Sequence, residues 1–129
     1  MGLSIAAQER GASKASVQFE TKDIAFSKAL AVLTAEGFAL QVVEKDAGII
    51  TTQGKAGGRF QSKYNVLVTE EGYLTLTGLM SIGEVTLNGV TDTSWSRIEN
   101  RGMKGSPIRK AWEELEGIAQ QLSEQVIYE

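Results

Sequence analysis

The chain has no cysteine and no histidine, and its 129 residues include a single proline. Without cysteine there is no disulfide framework, no thiol nucleophile and no thiolate metal site, and the redox compartment is left open. The absence of histidine also removes the usual zinc ligands, the Ser-His-Asp and Cys-His relays and the commonest general base near neutral pH. Catalysis would fall to carboxylates, lysine or tyrosine. No apolar run approaches the roughly 20 residues that span a bilayer, so no transmembrane segment is expected. The opening stretch MGLSIAAQERGASKAS has neither the basic start nor the apolar centre of a signal peptide. Met1-Gly2 begins a myristoylation pattern, but Ala6 stands where Ser or Thr is required. Residues 1–15 read as a flexible leader with a trimmed start, and residues 16–129 as one α+β domain.

What is present is ordinary for a globular protein: 42% hydrophobic and 22% charged residues, with a net charge of −3. A domain of this size buries roughly two thirds of the surface its unfolded chain exposes, so a core without staples is expected. The acidic balance argues against a nucleic-acid binder, whose affinity rests on neutralising phosphates.

Ser16 to Glu20 (SVQFE) alternates, with Val17 and Phe19 on one side of a strand. A helix follows: Asp23 is the expected N-cap, Phe26, Ala29, Leu30 and Leu33 share a face, and Gly37 stands where a left-handed C-cap belongs. FALQVVE, with Phe38, Leu40 and Val42 on one face, turns through KDAG into GIITTQ as a β-hairpin. Gln61 to Thr69 alternates with Tyr64, Val66 and Val68 inward, then turns into YLTLTGLMSI with Leu74, Leu76, Met80 and Ile82 on one side. EVTLNGVTD either continues that strand past a bulge at Gly83 or forms a further short strand. TSWSRIENRGMKGS reads as a surface loop over 93–106, tacked down by Trp95 and Ile98. In the last element Ser106 caps, Pro107 takes the first helical position, and Ile108, Trp112, Leu115, Ala119, Leu122 and Val126 form one apolar stripe. That predicts a helix of about five turns, roughly 30 Å long, docked on the domain's own sheet rather than on a coiled-coil partner. The fold expected is a curved antiparallel sheet of about five or six strands with two helices on one face, in the order β-α-β-β-β-β-α.

GKAGGR, from Gly54 to Arg59, invites a phosphate-loop reading. Gly48 and Gly54 are separated by five residues where four are needed, Ala56 follows Lys55 where Ser or Thr should stand, and strands flank the loop on both sides. It reads as a hairpin, with Lys55, Arg59 and Lys63 as a small basic patch. Arg97, Arg101, Lys104, Arg109 and Lys110 form a denser basic stretch before the last helix, and Trp95, Arg97, Arg101 and Lys104 are the candidate interaction surface. The carboxylate pairs Glu70-Glu71, in a turn, Glu113-Glu114, on a polar helix face, and Asp92 with Glu99 are the only material for acid-base work. No catalytic residue, cofactor or metal ligand is assigned.

With that order of elements in place, AFSKALAVLTAEGFALQVVEKDAGIITTQ resembles the opening of a bacterial envelope lipoprotein domain. It is similar to the helix-grip (TBP-like) domains of BamC, an accessory lipoprotein of outer-membrane β-barrel assembly, in which a helix precedes a "GF" strand, an acidic turn and an Ile-Thr strand. Glu44, Asp46, Gly48, Ile49, Ile50, Thr51 and Thr52 carry the likeness. The chain lacks the lipobox cysteine and a tryptophan after the Ile-Thr strand. The resemblance implies a non-catalytic protein-interaction or assembly domain with an envelope protein partner, periplasmic or anchored to the outer membrane; a cytoplasmic protein of the same shape is the other location. The alternative function is a carrier of small hydrophobic ligands, with a cavity between the long helix and the sheet lined by Phe38, Leu76 and Trp112.

Overall fold

The computed structural model of the chain describes residues 10–58, 60–82, 84–87 and 89–129, and of residues 84–87 and 90–93 the backbone alone. Among the described residues there are two helices, α1 (Lys22–Ala35) and α2 (Pro107–Leu122), and ten strands. These are β1 (Ala15–Gln18), β2 (Leu40–Glu44), β3 (Ile49–Thr52), β4 (Lys55–Gly57), β5 (Phe60–Val68), β6 (Tyr73–Ser81), β7 (Glu84–Leu87), β8 (Val90–Thr93), β9 (Ser96–Arg97) and β10 (Ile127–Tyr128).

β5 and β6, nine residues each, are the axis of an antiparallel sheet ordered β10-β1-β6-β5-β3-β2. Each is flanked by two short strands placed end to end: β3 and β4 pair with β5, while β1 and β9 pair with β6. Strict alternation along β5 and β6 sends Ser62, Tyr64, Val66 and Val68 to one face, opposite Met80, Gly78, Leu76 and Leu74. Both helices pack against this face and against each other. The fold is therefore the expected α+β arrangement of an open antiparallel sheet with two helices on one face.

Helix α1 is capped by Thr21, not by the expected Asp23: the Thr21 hydroxyl accepts from the Ile24 N–H at 3.1 Å. Asp23 instead lies in the first turn, where a carboxylate suits the helix dipole. The helix ends as expected on Gly37, at φ +90. Gly37 N donates to Thr34 O and Phe38 N to Leu33 O, a Schellman closure that folds buried Phe38 back on buried Leu33.

Ser106 caps α2 by accepting from Arg109 N at 3.2 Å, and Pro107 opens the helix, both as the sequence predicts. Trp112, Leu115, Ala119 and Leu122 are buried against the sheet, joined by Ala111 and Ile118. The helix stops four residues before Val126, because Ser123 is extended and its hydroxyl accepts from Gln125 N at 3.0 Å. The chain then returns to the sheet as β10, beside β1.

Other expectations are corrected by local geometry. A bulge between Leu40 and Val42 breaks the alternation of β2, so Leu40 and Val43, not Leu40 and Val42, face Thr52 and Ile50. Ile82 lies past the end of β6 and is 63% exposed. EVTLNGVTD forms neither a continuation nor one strand but the separate hairpin β7–β8; the expected bulge at Gly83 lies outside the described residues. The 93–106 stretch contains β9, and its Ile98 is 0% exposed, with Ile98 N donating to Gly78 O. Of the expected leader, residues 1–9 lie outside the described residues, whereas Ala12 and Ser13 are buried and Ala15 opens β1. Gly11 N donates to Asn100 O and Asn100 N to Ala12 O, both at 2.8 Å, so the packed chain begins before Ser16.

GKAGGR is the hairpin expected of it, with Lys55, Ala56 and Gly57 paired to Ser62, Gln61 and Phe60. Gly48, in the β2–β3 turn, is obligatory: at φ +72, a Cβ there would stand 2.1 Å from the Val68 carbonyl oxygen. The division into an inner and an outer face predicts unequal losses on truncation. Leu115→Ala should lower stability by about 2–5 kcal/mol through a core cavity, and Leu67→Ala on the opposite face should stay within about 0.5 kcal/mol. Urea denaturation of the two variants checks this, and equal losses would contradict the division.

Candidate functional site

Two groups of polar side chains stand out, one inside the helix-sheet layer and one on the sheet's bare face. The inner group starts from β5, where Ser62 and Tyr64 alternate toward α2 and are both buried. Glu114 reaches down from α2, and its Oε1 accepts from Ser62 Oγ at 2.6 Å and from Tyr64 OH at 2.7 Å. The expectation that Glu113-Glu114 lies on a polar helix face therefore holds for exposed Glu113 and not for Glu114. Tyr64 stands edge-on to Phe38, with ring centroids 5.2 Å apart. The Lys55 ammonium lies 4.9 Å from the Phe38 ring centroid and donates to Glu36 O. Gln121 Nε2 donates to Glu36 Oε2 at 3.0 Å, tying α2 to the end of α1.

Burial first, and then the Glu114 charge, push the Tyr64 phenol far above its ordinary range. Both hydroxyls give their protons to one carboxylate oxygen, which makes the trio a rivet between α2 and the sheet. Its cost when broken is that of a stranded buried donor, about 1–3 kcal/mol for each hydroxyl. Gly78 creates the room for it: a Cβ there would sit 2.7 Å from both Tyr64 Cε1 and Ile98 Cδ1.

The outer group lies on the face without helices. Lys63, Leu79 and Arg97 are in register across β5, β6 and β9. Trp95, half-buried, lies against Gly54, and the Lys63 ammonium sits 4.2 Å from the Trp95 ring centroid, a contact worth about 0.5–1 kcal/mol where exposed. Between Arg97 and Lys14 is a cleft of about 220 Å³, lined by Ser13, Asn65, Thr77 and Leu79. Lys14, Asn65 and Arg97 are exposed and Ser13 is buried.

Of the four residues expected to form an interaction surface, Trp95 and Arg97 come together here. Arg101 does not: its Nε donates to Glu99 Oε1 at 3.1 Å. Lys104 is exposed on the turn before α2, away from the cleft lining. The basic patch expected around GKAGGR is split, Lys55 turning to the helix side and Lys63 to the outer face, with Arg59 outside the described residues. Lys14 was hidden in the expected leader, and Asn65 was passed over although it alternates with buried Tyr64 and Val66.

Phe38, Leu76 and Trp112 belong to one buried cluster that fills the helix-sheet layer. Trp112 stands edge-on to Tyr128 at 5.6 Å, and none of the three lines the cleft beside β10, the one along α1 or the Lys14–Arg97 cleft. Glu70 pairs with Lys22, and the Asp92 side chain is outside the described set. Among the described residues no group of carboxylates could hold a metal ion, and no helix is long and apolar enough to cross a membrane. No protein-family model matches the chain, and no curated protein matches it.

Two outcomes follow from the inner group. Glu114→Leu strands both hydroxyls and should destabilise the fold by about 2–6 kcal/mol, about 1–3 for each, and adding Tyr64→Phe should cost less than in the parent; denaturation of the four-member cycle measures the coupling. Tyr128 is pushed up to about 12 by burial and by the Glu116 carboxylate, in the same direction as Tyr64. A phenol whose folded value is raised stabilises fully below the unfolded value of about 10 and loses that contribution as pH rises through the folded value. Stability should therefore fall between about pH 10 and 12, less steeply in Tyr128→Phe, as followed by urea midpoints across that range.

Proposed function

We propose that the chain is a non-catalytic protein-interaction domain of the bacterial envelope, periplasmic or anchored to the outer membrane, which meets its partner with the helix-free face of the sheet. The carrying observation is Leu67, 55% exposed near the end of β5, an interior strand of the sheet and one of its two longest. Ile49 is its register partner on β3 and Val42 lies near it at the β2 edge, while Ile127, 58% exposed on β10, is a separate apolar residue of the same face beyond Thr75 and Ser16. Exposed apolar surface on a sheet face is a mark of protein contact, and a sheet backed by two packed helices presents Leu67 and Ile49 rigidly. The packing of Phe38, Leu76 and Trp112 into the core supports the interaction reading over the carrier. The envelope location rests on the resemblance to helix-grip lipoprotein domains.

A photo-crosslinking amino acid at position 67, in the intact protein in its own cells, should give a discrete protein adduct. The same probe at Ser27, on the exposed side of α1, should not. Equal adducts from both positions, or none from 67, would overturn the reading. Fractionation of the same cells tests the compartment separately.

A further inference from the structure

We infer that the cleft between Lys14 and Arg97 receives a carboxylate from an acidic, extended segment of a partner protein, the adjoining Leu67 and Leu79 taking its apolar side chains. This rests on the proposal that the outer face is a protein-contact surface, and it names the chemistry of the partner.

Charge is the first support. The chain carries a net −3, yet Lys14, Lys63 and Arg97 share the outer face, and no carboxylate among the described residues is paired with any of them. Three cations elsewhere are paired with carboxylates, Lys22 with Glu70, Lys45 with Asp23 and Arg101 with Glu99; what sets Lys14, Lys63 and Arg97 apart is that they gather on one face, two of them in the lining of one cleft. A cationic patch on an acidic protein repels the protein's own kind of surface less than the rest of it does, and attracts an acidic chain.

The shape of the cleft is the second. Arg97 and Lys14 both belong to its lining, with Asn65, Thr77 and Ser13 adding neutral hydrogen-bonding groups. A guanidinium and an ammonium in one lining suit a carboxylate, which accepts hydrogen bonds from such donors without needing to be stripped of every water. At about 220 Å³ the space fits a side chain or a terminal carboxylate, and is small beside the pockets of about 300–1,000 Å³ that enclose whole small molecules.

Spacing is the third. Leu67 is two residues from Asn65 along β5, and Leu79 is two from Thr77 along β6. Two residues of strand advance about 6.7 Å, the same step that separates alternate side chains of an extended peptide. A segment reading acidic, any residue, apolar would thus set its carboxylate in the cleft and its apolar side chain on Leu67 or Leu79. The apolar flank is what favours a protein over a phosphate polymer or a lipid surface, for which covering Leu67 with phosphate would be unfavourable.

The test is a titration of the isotope-labelled intact chain with an acetylated, amidated peptide of alternating glutamate and leucine, read by amide chemical shifts. Shifts should concentrate at Lys14, Asn65, Thr77 to Leu79 and Arg97, and affinity should fall as salt is raised. The double variant Lys14→Glu, Arg97→Glu changes two exposed residues and should keep the parent's denaturation midpoint while binding at least about tenfold more weakly, which corresponds to about 1.4 kcal/mol. The inference is overturned by any of four results: no localised shifts; equal binding by a lysine-leucine peptide; equal binding by the charge-reversed variant; or inorganic phosphate, anionic phospholipid vesicles or a single-stranded oligonucleotide occupying these amides as tightly as the peptide. Failure of the peptide while the crosslink from position 67 persists removes only the acidic partner. Loss of that crosslink with peptide binding intact removes the interaction reading instead.

Discussion

Everything in this fold is referred to the β5–β6 ladder. Eight consecutive residue pairs, from Gln61 with Ser81 to Val68 with Leu74, hold two long strands in one register. Because side chains alternate with a period of two, that register alone decides which residues meet the helices and which meet solvent. A slip of β5 by one position against β6 would carry Tyr64 and Val66 to the outer face and leave Lys63 and Asn65 against α2. The short strands β1, β3, β4 and β9 inherit their facing from this pair, and so do both polar groups described above.

The same dependence explains what could be read from the sequence. Tyr64, Val66, Val68, Leu74 and Leu76 announce their face through uninterrupted alternation, and Trp112, Leu115, Ala119 and Leu122 announce theirs through helical spacing. Local competition blurred the boundaries. Thr21 and Asp23 are both good caps, and only the position of the first turn decides between them. The apolar spacing of α2 runs on to Val126, while the Ser123 hydroxyl ends the helix by bonding its own neighbourhood. The Asn88-Gly89 pair between two β-branched runs was a hairpin signal of known strength, and it outweighs the continuation of β6 that the apolar pattern suggested.

The candidate sites were legible only where they needed no topology. Trp95 and Arg97 are neighbours in sequence and stayed together. Glu114 looked like one more charge on a solvated helix, because nothing local reveals that Ser62 and Tyr64 lie beneath it. Lys14 and Arg97 belong to the lining of one cleft only because β1 and β9 share one side of β6, a consequence of long-range pairing that no window of sequence contains.

Gly78 has a further consequence. Its missing side chain lets the Tyr64 ring and Ile98 press against the main chain from within, while the same residue belongs to the lining of the Lys14–Arg97 cleft outside. At this point the Gly78 main chain is common to the core and to the cleft. A group settling into the cleft would displace water directly behind the aromatic ring, so a chromophore sealed in the core stands next to an outside event it does not touch.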